Sequence, residues 1–405
     1  MKTFKTLFYI IIISLVMATG CTDDSLVDLG SQTLESRSKS SALKTISPEV
    51  KAKLAALRAK IPAGSEARLQ HNSTLLKDDH SEYRAMILRA MNGVTPSPCD
   101  ASSTALNVWL GQQLEGWDEV LDGNGNTVFD YANLIGMLDF PTYDALLFEN
   151  SSTNQYFGVN GAYSQKTTKA FKDLKRFWNI QSDGIVLAAM HGSMLRDREK
   201  VIRIDRILFG DSQAAAEFYA DLTLFLLENI PQYRNGDHPI FTFNAFAQSS
   251  FNFGGNVIPS KIIMGDGIVD AYVGIGYGDV ASQAILSHEY GHHIQFQLGL
   301  FNSPITDPAE ATRRTELMAD AFSAYYLSHA RGASMQWKRV QLFLQVFFNI
   351  GDCAFNSGGH HGTPLQRMAA ANWGYSVAND AQKQGHILTA EVFSSLFDAQ
   401  LPLLL

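Results

Sequence analysis

Basic residues are in short supply in this chain, and they form no run. Its 405 residues contain 32 Lys and Arg against 40 Asp and Glu, a formal net charge of -8 at pH 7. Nucleic-acid-binding proteins present a basic patch to the phosphate backbone, so this acidic balance argues against a nucleic-acid partner. Internal repeats and long low-complexity tracts are also absent. With 46% hydrophobic residues, we expect a globular protein of one large domain or two smaller ones.

Cysteine is scarce too, with three in the chain: Cys21, Cys99 and Cys353. Outside the cytoplasm, Cys99 and Cys353 could form one disulfide, and they could equally be two buried thiols. Both alternatives stay open because the sequence does not give the distance between the two Cα atoms.

An apolar run near the N-terminus predicts an export signal over residues 1–20. Lys2 and Lys5 precede the run LFYIIIISLVMA, which is too short for a membrane span of about 20 residues. The letters ATGC, residues 18–21, begin at the last residue of this run and resemble the lipobox of bacterial lipoproteins. This resemblance implies lipid on Cys21 and contact with the membrane through that anchor only. The outer membrane is the favoured address because residue 22 is Thr, not the Asp associated with inner-membrane retention. An ordinary secretory signal with an incidental cysteine is the alternative.

Composition divides the rest of the chain into three regions. Residues 21–47 are rich in Ser, Thr and Asp and predict the lipid anchor followed by a flexible tether. Good helix formers after Pro48 predict a mainly helical N-terminal region over 48–160. Residues 161–405 contain the candidate functional residues.

Within 161–405, strands are predicted before helices. Runs rich in Ile, Val and Leu predict strands at Gly184–Met190 and Val201–Phe209, and a further short strand at Lys261–Met264. The segment Ala214–Ile230 predicts a long helix, and an unbroken series of helices is predicted from Asp279 to the C-terminus. This order predicts an α+β fold with a small mixed sheet and a mainly helical C-terminal part.

The segment DVASQAILSHEYGHHIQFQLG, residues 279–299, contains His-Glu-x-x-His. Positions i and i+4 of a helix lie one above the other, so His288 and His292 can bind one metal ion with Glu289 beside it. Asp279 is the predicted N-cap, and Gly299 is placed to end the helix. Gly291 inside the helix costs about 1 kcal/mol relative to alanine, which predicts close packing of another backbone there.

A third ligand is needed, because a catalytic zinc site has three protein ligands and one open position. Glu316 and Asp320 are four residues apart among apolar neighbours, and so lie on one helix face. Two carboxylates so placed repel each other, which predicts a cation or hydrogen-bond donors opposite them. We assign Glu316 as the ligand and Asp320 as the acceptor of a ligand histidine's second N–H. A solvated acidic face and Asp320 as the direct ligand are the alternatives.

Three ordered segments, HEYGHHIQ, RTELMAD and HGTPLQR, resemble the HExGHHxQ, ELQAD and HGTSxQR motifs of the bacterial neutral zinc metallopeptidase family. That family belongs to the glutamate-type zincins, the group that includes thermolysin. The resemblance covers roughly residues 261–375, with Met318, Cys353 and Pro364 as departures. Gln295 and Leu298 stand where a metzincin requires glycine and histidine, and this excludes that group.

The resemblance implies a zincin-like, two-lobed metallopeptidase domain over 161–405. It implies bound Zn²⁺ and hydrolysis of a peptide or protein substrate by zinc-activated water, with Glu289 as general base. Apart from the resemblance, the short strand at Lys261–Met264 could serve as the edge strand on which an extended peptide substrate pairs. His361 is the candidate donor to the developing oxyanion, oriented by Asp352.

Several alternatives remain. His360 and His361 could simply cap or bridge within a Gly-rich loop. His361 as a fourth ligand would indicate a structural metal in a non-catalytic surface binding lipoprotein. Zinc-dependent hydrolysis of a non-peptide amide is a third possibility. His293 points about 100° away from His292 on a helix, so we expect it to be packed or hydrogen-bonded. Tyr325 and Tyr326 are expected in the core.

Overall fold

The computed structural model of the protein describes residues 46–61, 104–351, 361–384 and 386–405. These residues all belong to one compact unit. The predicted signal peptide and nearly all of the tether lie outside the described residues. The same is true of Cys21, Cys99, Asp352, Cys353 and His360.

Thirteen α-helices lie in the described ranges. They are α1 Pro48–Arg58, α2 Ala105–Gln113, α3 Val128–Leu134, α4 Phe140–Phe148, α5 Ser164–Phe177, α6 Arg198–Leu208, α7 Gln213–Asn229, α8 Asp266–Gly274, α9 Gly278–Leu298, α10 Pro308–Ser328, α11 Trp337–Asn349, α12 Pro364–Gln384 and α13 Ala390–Gln400. The strands of the same ranges are β1 Val186–Met190, β2 Ala245–Gln248, β3 Phe251–Phe253, β4 Asn256–Ile258 and β5 Lys261–Gly265. No helix in this described part is long and apolar enough to cross a lipid bilayer.

The main sheet has three strands in the order β1-β5-β2. Strand β1 runs parallel to β5, with Val186 opposite Lys261, and β2 runs antiparallel to β5, with Ala245 opposite Met264. Strands β3 and β4 form a separate antiparallel pair. The predicted α+β class with a small mixed sheet is confirmed. The prediction that Lys261–Met264 forms the sheet edge is wrong, because β5 is the central strand and β2 is an edge.

The segment predicted as a strand at Val201–Phe209 is a helix, α6. Its buried apolar residues Val201, Ile204 and Leu208 are spaced by three and four residues, the helical period. The Asp197 side chain accepts hydrogen bonds from two backbone N–H groups of the first turn and so caps the helix. In this segment, the helical spacing of the apolar residues and the Asp197 cap outweigh the preference of Val and Ile for β-strands. The strand at β1 and the helix at α7 are confirmed.

Helix α9 is predicted correctly at its C-terminal end and in its interior, and incorrectly at its first turn. Gly299 ends the helix with a φ of 67°. Asp279 does not cap it: the helix starts at Gly278, and the Asp279 carboxylate accepts from Arg339 instead. A Cβ on Gly291 would lie 3.1 Å from the Cα of Ala319 in α10. The predicted close backbone contact is therefore real, and it joins the two helices that contain the candidate ligands.

Helix α9 lies between the sheet and the C-terminal helices. It packs against β2 and β5 on one side and against α10 and α11 on the other, and α10 in turn packs on α12. Tyr325 and Tyr326 of α10 are fully buried, which confirms the expectation that they belong to the core. One face of α9 therefore faces α10 while another contacts the sheet.

Candidate metal centre

The two histidines of α9 converge on the side that faces α10. The Nε2 atoms of His288 and His292 are 3.1 Å apart, and their rings are almost perpendicular. His288 is buried, at 6% exposure, and His292 is partly exposed. The four-residue spacing thus brings both Nε2 atoms to one point, as expected from helix geometry.

Glu316 of α10 completes the group. Its Oε2 lies 3.3 Å from Nε2 of His288, and its Oε1 lies 3.3 Å from Nε2 of His292. The three ligand atoms all lie within 4.8 Å of one another. Among the residues that the structure describes, this group of His, Cys, Asp or Glu side chains could hold a metal ion.

Each histidine is held by a hydrogen bond from its other ring nitrogen. Nδ1 of His288 lies 2.8 Å from Oδ1 of Asp320, and Nδ1 of His292 lies 2.9 Å from Oε1 of Gln295. Both acceptors are oxygens, so Nδ1 carries the proton and Nε2 offers its lone pair to the centre. Gln295 is itself fixed, because its amide donates to the Thr315 carbonyl of α10 at 2.7 Å.

Arg367 of α12 forms a buried ion pair with Asp320. It is 1% exposed, and its Nε and Nη2 donate to the two oxygens of Asp320 at 2.7 and 2.8 Å. Nη2 also lies 3.6 Å from Oε2 of Glu316. The motifs alone assign no role to Arg367 or Gln295. Both residues lie in the quoted motifs. A buried Asp320 requires a cation as its partner, and this requirement is the feature of the sequence that points to Arg367.

The electrostatics of the group favour bound positive charge. Burial disfavours the charged form of His288, but hydrogen bonds to Asp320 and Glu316 outweigh it and raise the pKa of His288 to about 10. Burial acts to raise the pKa of Glu316, but the charges of His361, His292 and His288 hold it well below its usual value. Without a metal, the pocket therefore favours a proton on imidazole, and a metal ion can replace that proton.

Glu289 points from α9 towards the sheet edge. It is 4% exposed, and its carboxylate accepts a hydrogen bond from the Ala247 backbone N–H of β2. Burial, partly offset by the charge of His288 and reinforced by that of Glu316, raises the pKa of Glu289 to about 7. A carboxyl group with this pKa can both accept and release a proton near neutral pH.

His361 lies beside the group, just before α12. Its Nε2 is 4.0 Å from Oε1 of Glu316, and the residue is 7% exposed. It does not belong to the set of ligand atoms within 4.8 Å of one another. The proposed orienting partner Asp352 falls outside the described residues.

His293 is bound to the sheet and takes no part in the centre. Its Nε2 donates to the Lys261 carbonyl of β5 at 2.8 Å, and burial lowers the pKa of His293 to about 4. The expectation that His293 is a hydrogen-bonded, packed histidine is confirmed. Its neutral ring anchors α9 to the central strand.

Comparisons of the chain with protein-family models, with curated proteins and with solved structures return no match. The site consists of a His-His-Glu group that two adjacent helices bring together, with a buried carboxylate of raised pKa, Glu289, on the same helix as the histidines.

Proposed function

We propose that the protein is a zinc-dependent metallopeptidase of the zincin type, which cleaves peptide bonds in a peptide or protein substrate. The convergence of His288, His292 and Glu316 within 4.8 Å is the observation that supports this most strongly. Two imidazoles and one carboxylate are the protein ligands of a known class of catalytic zinc site. A nitrogen-rich set also favours zinc over magnesium or calcium, which prefer oxygen ligands.

The surrounding side chains fit this chemistry. A zinc ion bound by the three residues would polarise a substrate carbonyl and lower the pKa of water in the open position to about 7. The Glu289 carboxylate accepts the proton of the attacking water and passes it to the nitrogen of the leaving amine. The Nε2–H of His361 donates to the carbonyl oxygen as negative charge develops on it. Asp320 and Gln295 keep the ligand rings in orientation throughout.

The arrangement of α9 also supports the two-lobed zincin architecture that the motifs imply. The sheet packs against α9, and so do the C-terminal helices α10 and α11, with the ligand group at the contact between α9 and α10. The N-terminal signal and Cys21 lead us to include a lipid anchor and a place in the cell envelope, most simply the outer membrane, in the proposal.

A non-catalytic binding lipoprotein with a structural metal is the second candidate, because His361 lies only 4.0 Å from Glu316. Structural zinc sites are closed by four protein ligands, whereas His361 lies outside the convergent group. A buried Glu289 with a raised pKa also has no task in a purely structural site. Both observations favour catalysis, on a peptide or on another amide.

The first test is the zinc content, by elemental mass spectrometry, of soluble protein beginning at Thr22. We expect about one zinc ion per chain, and loss of zinc in Glu316→Gln. Cleavage of a peptide library is then compared for the wild type and Glu289→Gln. This variant should keep its zinc and lose cleavage by a factor on the order of 100 to 10,000. The exposed Glu199→Gln on α6 is the matched control and should behave as wild type.

The outcomes separate the candidates. No zinc in folded protein that has not met a chelator would refute the metal centre. Unchanged cleavage in Glu289→Gln would exclude Glu289 as the base. Stoichiometric zinc with no cleavage of any peptide would move the choice to the binding lipoprotein or to another amide substrate.

A further inference from the structure

An exposed phenylalanine lies beside the metal centre. Phe301 follows the C-terminal end of α9, and the centroid of its ring is 6.2 Å from that of His292. The residue is 42% exposed. Single exposed apolar side chains are common on protein surfaces, so exposure alone assigns no role to Phe301. What distinguishes this residue is its position against a candidate metal ligand.

The two ligand histidines differ in the phenylalanine that lies next to them. The ring of His288 is 6.4 Å from that of Phe347, which is fully buried in α11. The phenylalanine next to His292 is instead the exposed Phe301. The His292 side chain is also the more exposed of the two, at 12% against 8% for His288. The group is therefore closed on the His288 side, and a substrate reaches it on the His292 side, past the ring of Phe301.

A second ring supports Phe301. The rings of Phe296 and Phe301 are stacked, with centroids 5.0 Å apart and planes inclined by 19°. Phe296 in turn meets the ring of His293 edge-on at 5.5 Å, and His293 is hydrogen-bonded to the central strand β5. Phe296 and Phe301 thus form an aromatic surface that is attached to the sheet and is continuous with the metal centre.

The turn that contains Phe301 is fixed at the residue before it. The Leu300 N–H donates to the carbonyl of Gln295, the residue that also holds Nδ1 of His292. The Leu300 carbonyl accepts from Nη1 of Arg314 at 2.7 Å. Arg314 is 7% exposed and is paired with a carboxylate of α13. The backbone beside the ring is therefore held in place before a substrate arrives, which lowers the entropy cost of binding.

We propose that Phe296 and Phe301 bind an aromatic side chain of the substrate, and so give the protein a preference for Phe, Tyr or Trp beside the bond that is cleaved. This inference rests on the proposed peptidase function. Aromatic rings prefer offset-stacked or edge-to-face partners, and an exposed ring with a second ring behind it offers both. The separation of 6.2 Å between Phe301 and His292 restricts the occupant to a residue next to the scissile bond.

Cleavage of a peptide library by the zinc-loaded protein, with the cleaved bonds identified by mass spectrometry, measures this preference. We expect enrichment of Phe, Tyr and Trp at one position beside the cleaved bond. Two peptides that differ only in Phe or Ser at that position then give a ratio of kcat/KM values. Phe301→Leu keeps an apolar side chain without the ring, and it should lower this ratio about three- to tenfold.

Two control variants show whether the ring itself is responsible. Phe301→Tyr retains an aromatic ring and should keep the ratio of the wild type. Trp337→Leu removes another exposed ring, at the start of α11, and is the matched control that should behave as wild type. The zinc content of all three variants should stay at about one ion per chain, because none of them removes a ligand.

Calorimetric titration with zinc-binding hydroxamates gives a second measurement that needs no turnover. Phenylacetohydroxamate and acetohydroxamate share the metal-binding group and differ by a phenyl ring. We expect the phenyl compound to bind the zinc-loaded wild type more tightly. In Phe301→Leu, this difference in affinity should shrink about three- to tenfold, whereas Trp337→Leu should leave it unchanged.

The outcomes separate this inference from the proposed function. Peptide cleavage without an aromatic preference, or a wild-type ratio in Phe301→Leu, would overturn the aromatic surface and leave the peptidase in place. Zinc-loaded protein that cleaves no peptide would count against the peptidase. The aromatic surface would then be decided by the two hydroxamates: equal affinities in the wild type overturn it, and a difference that Phe301→Leu reduces supports it.

Discussion

Replacing Gly291 by alanine tests how the contact between α9 and α10 sets the metal centre. The added Cβ would lie 3.1 Å from Cα, 3.2 Å from Cβ and 3.3 Å from the carbonyl oxygen of Ala319. Optimal carbon contacts are about 3.5–4.0 Å, so the two helices must separate by a few tenths of an ångström. Ala319 lies next to Asp320 and one turn after Glu316, so this separation moves both carboxylates away from the histidines of α9.

Two opposing contributions determine how Gly291→Ala changes the free energy of unfolding. Alanine stabilises a helix interior by about 1 kcal/mol relative to glycine. Overpacking a well-packed contact costs about 1–3 kcal/mol. We therefore expect a net destabilisation of about 0–2 kcal/mol for Gly291→Ala. At Gly111 of α2, an added Cβ meets no atom within 4 Å. Gly111→Ala should therefore gain close to the full 1 kcal/mol and is the matched control.

Urea unfolding of metal-free protein measures the stability terms, and chelator competition measures zinc affinity. Gly291→Ala should lower the affinity about tenfold, as expected when ligand orientation is disturbed. Gly111→Ala should leave it unchanged. If Gly291→Ala stabilises the protein as much as the control does and binds zinc as tightly as wild type, the contact does not constrain the centre and the reasoning is refuted.

Three other predictions concern buried polar groups. Arg367→Met leaves Asp320 as a buried, uncompensated carboxylate and should lower the free energy of unfolding in urea by about 3–5 kcal/mol. Adding Asp320→Asn to this variant should recover part of that loss. If the effects of the two substitutions simply add, Arg367 and Asp320 do not stabilise the protein as a pair. Gln295→Leu removes the acceptor of His292 and should weaken zinc binding about 10–100-fold in chelator competition, while an unchanged affinity would deny Gln295 that role. Burial and the charge of Arg234 lower the pKa of His238 from 6.5 to about 3 in the folded protein. Between pH 6.5 and pH 3 the unfolded chain therefore binds more protons than the folded protein. The free energy of unfolding falls as the pH drops below 6.5. This group should cost the wild type about 2 kcal/mol between pH 7 and pH 5, and His238→Gln should lack that loss in thermal unfolding at the two pH values.

Local geometry explains what could be predicted about the centre. The two histidines of α9 meet because residues four apart on a helix always lie on one face. The same rule placed Glu316 and Asp320 together on α10. Gly291 signalled a close backbone contact because glycine inside a helix has an energetic cost. Each of these inferences needs only the conformation of one helix, and a helix pattern is visible in the sequence.

The relations between elements were decided by tertiary packing. The sequence alone determined that Glu289, His288 and His292 share one helix, but only the packing of α9 on α10 brought Glu316 within 3.3 Å of both rings. Gln295 and Arg367 entered the site through contacts with other helices. Strand order made β5 central, and helix spacing overrode strand preference at α6. Side-chain contacts across elements depend on how whole elements pack, and one-dimensional spacing contains no measure of that distance.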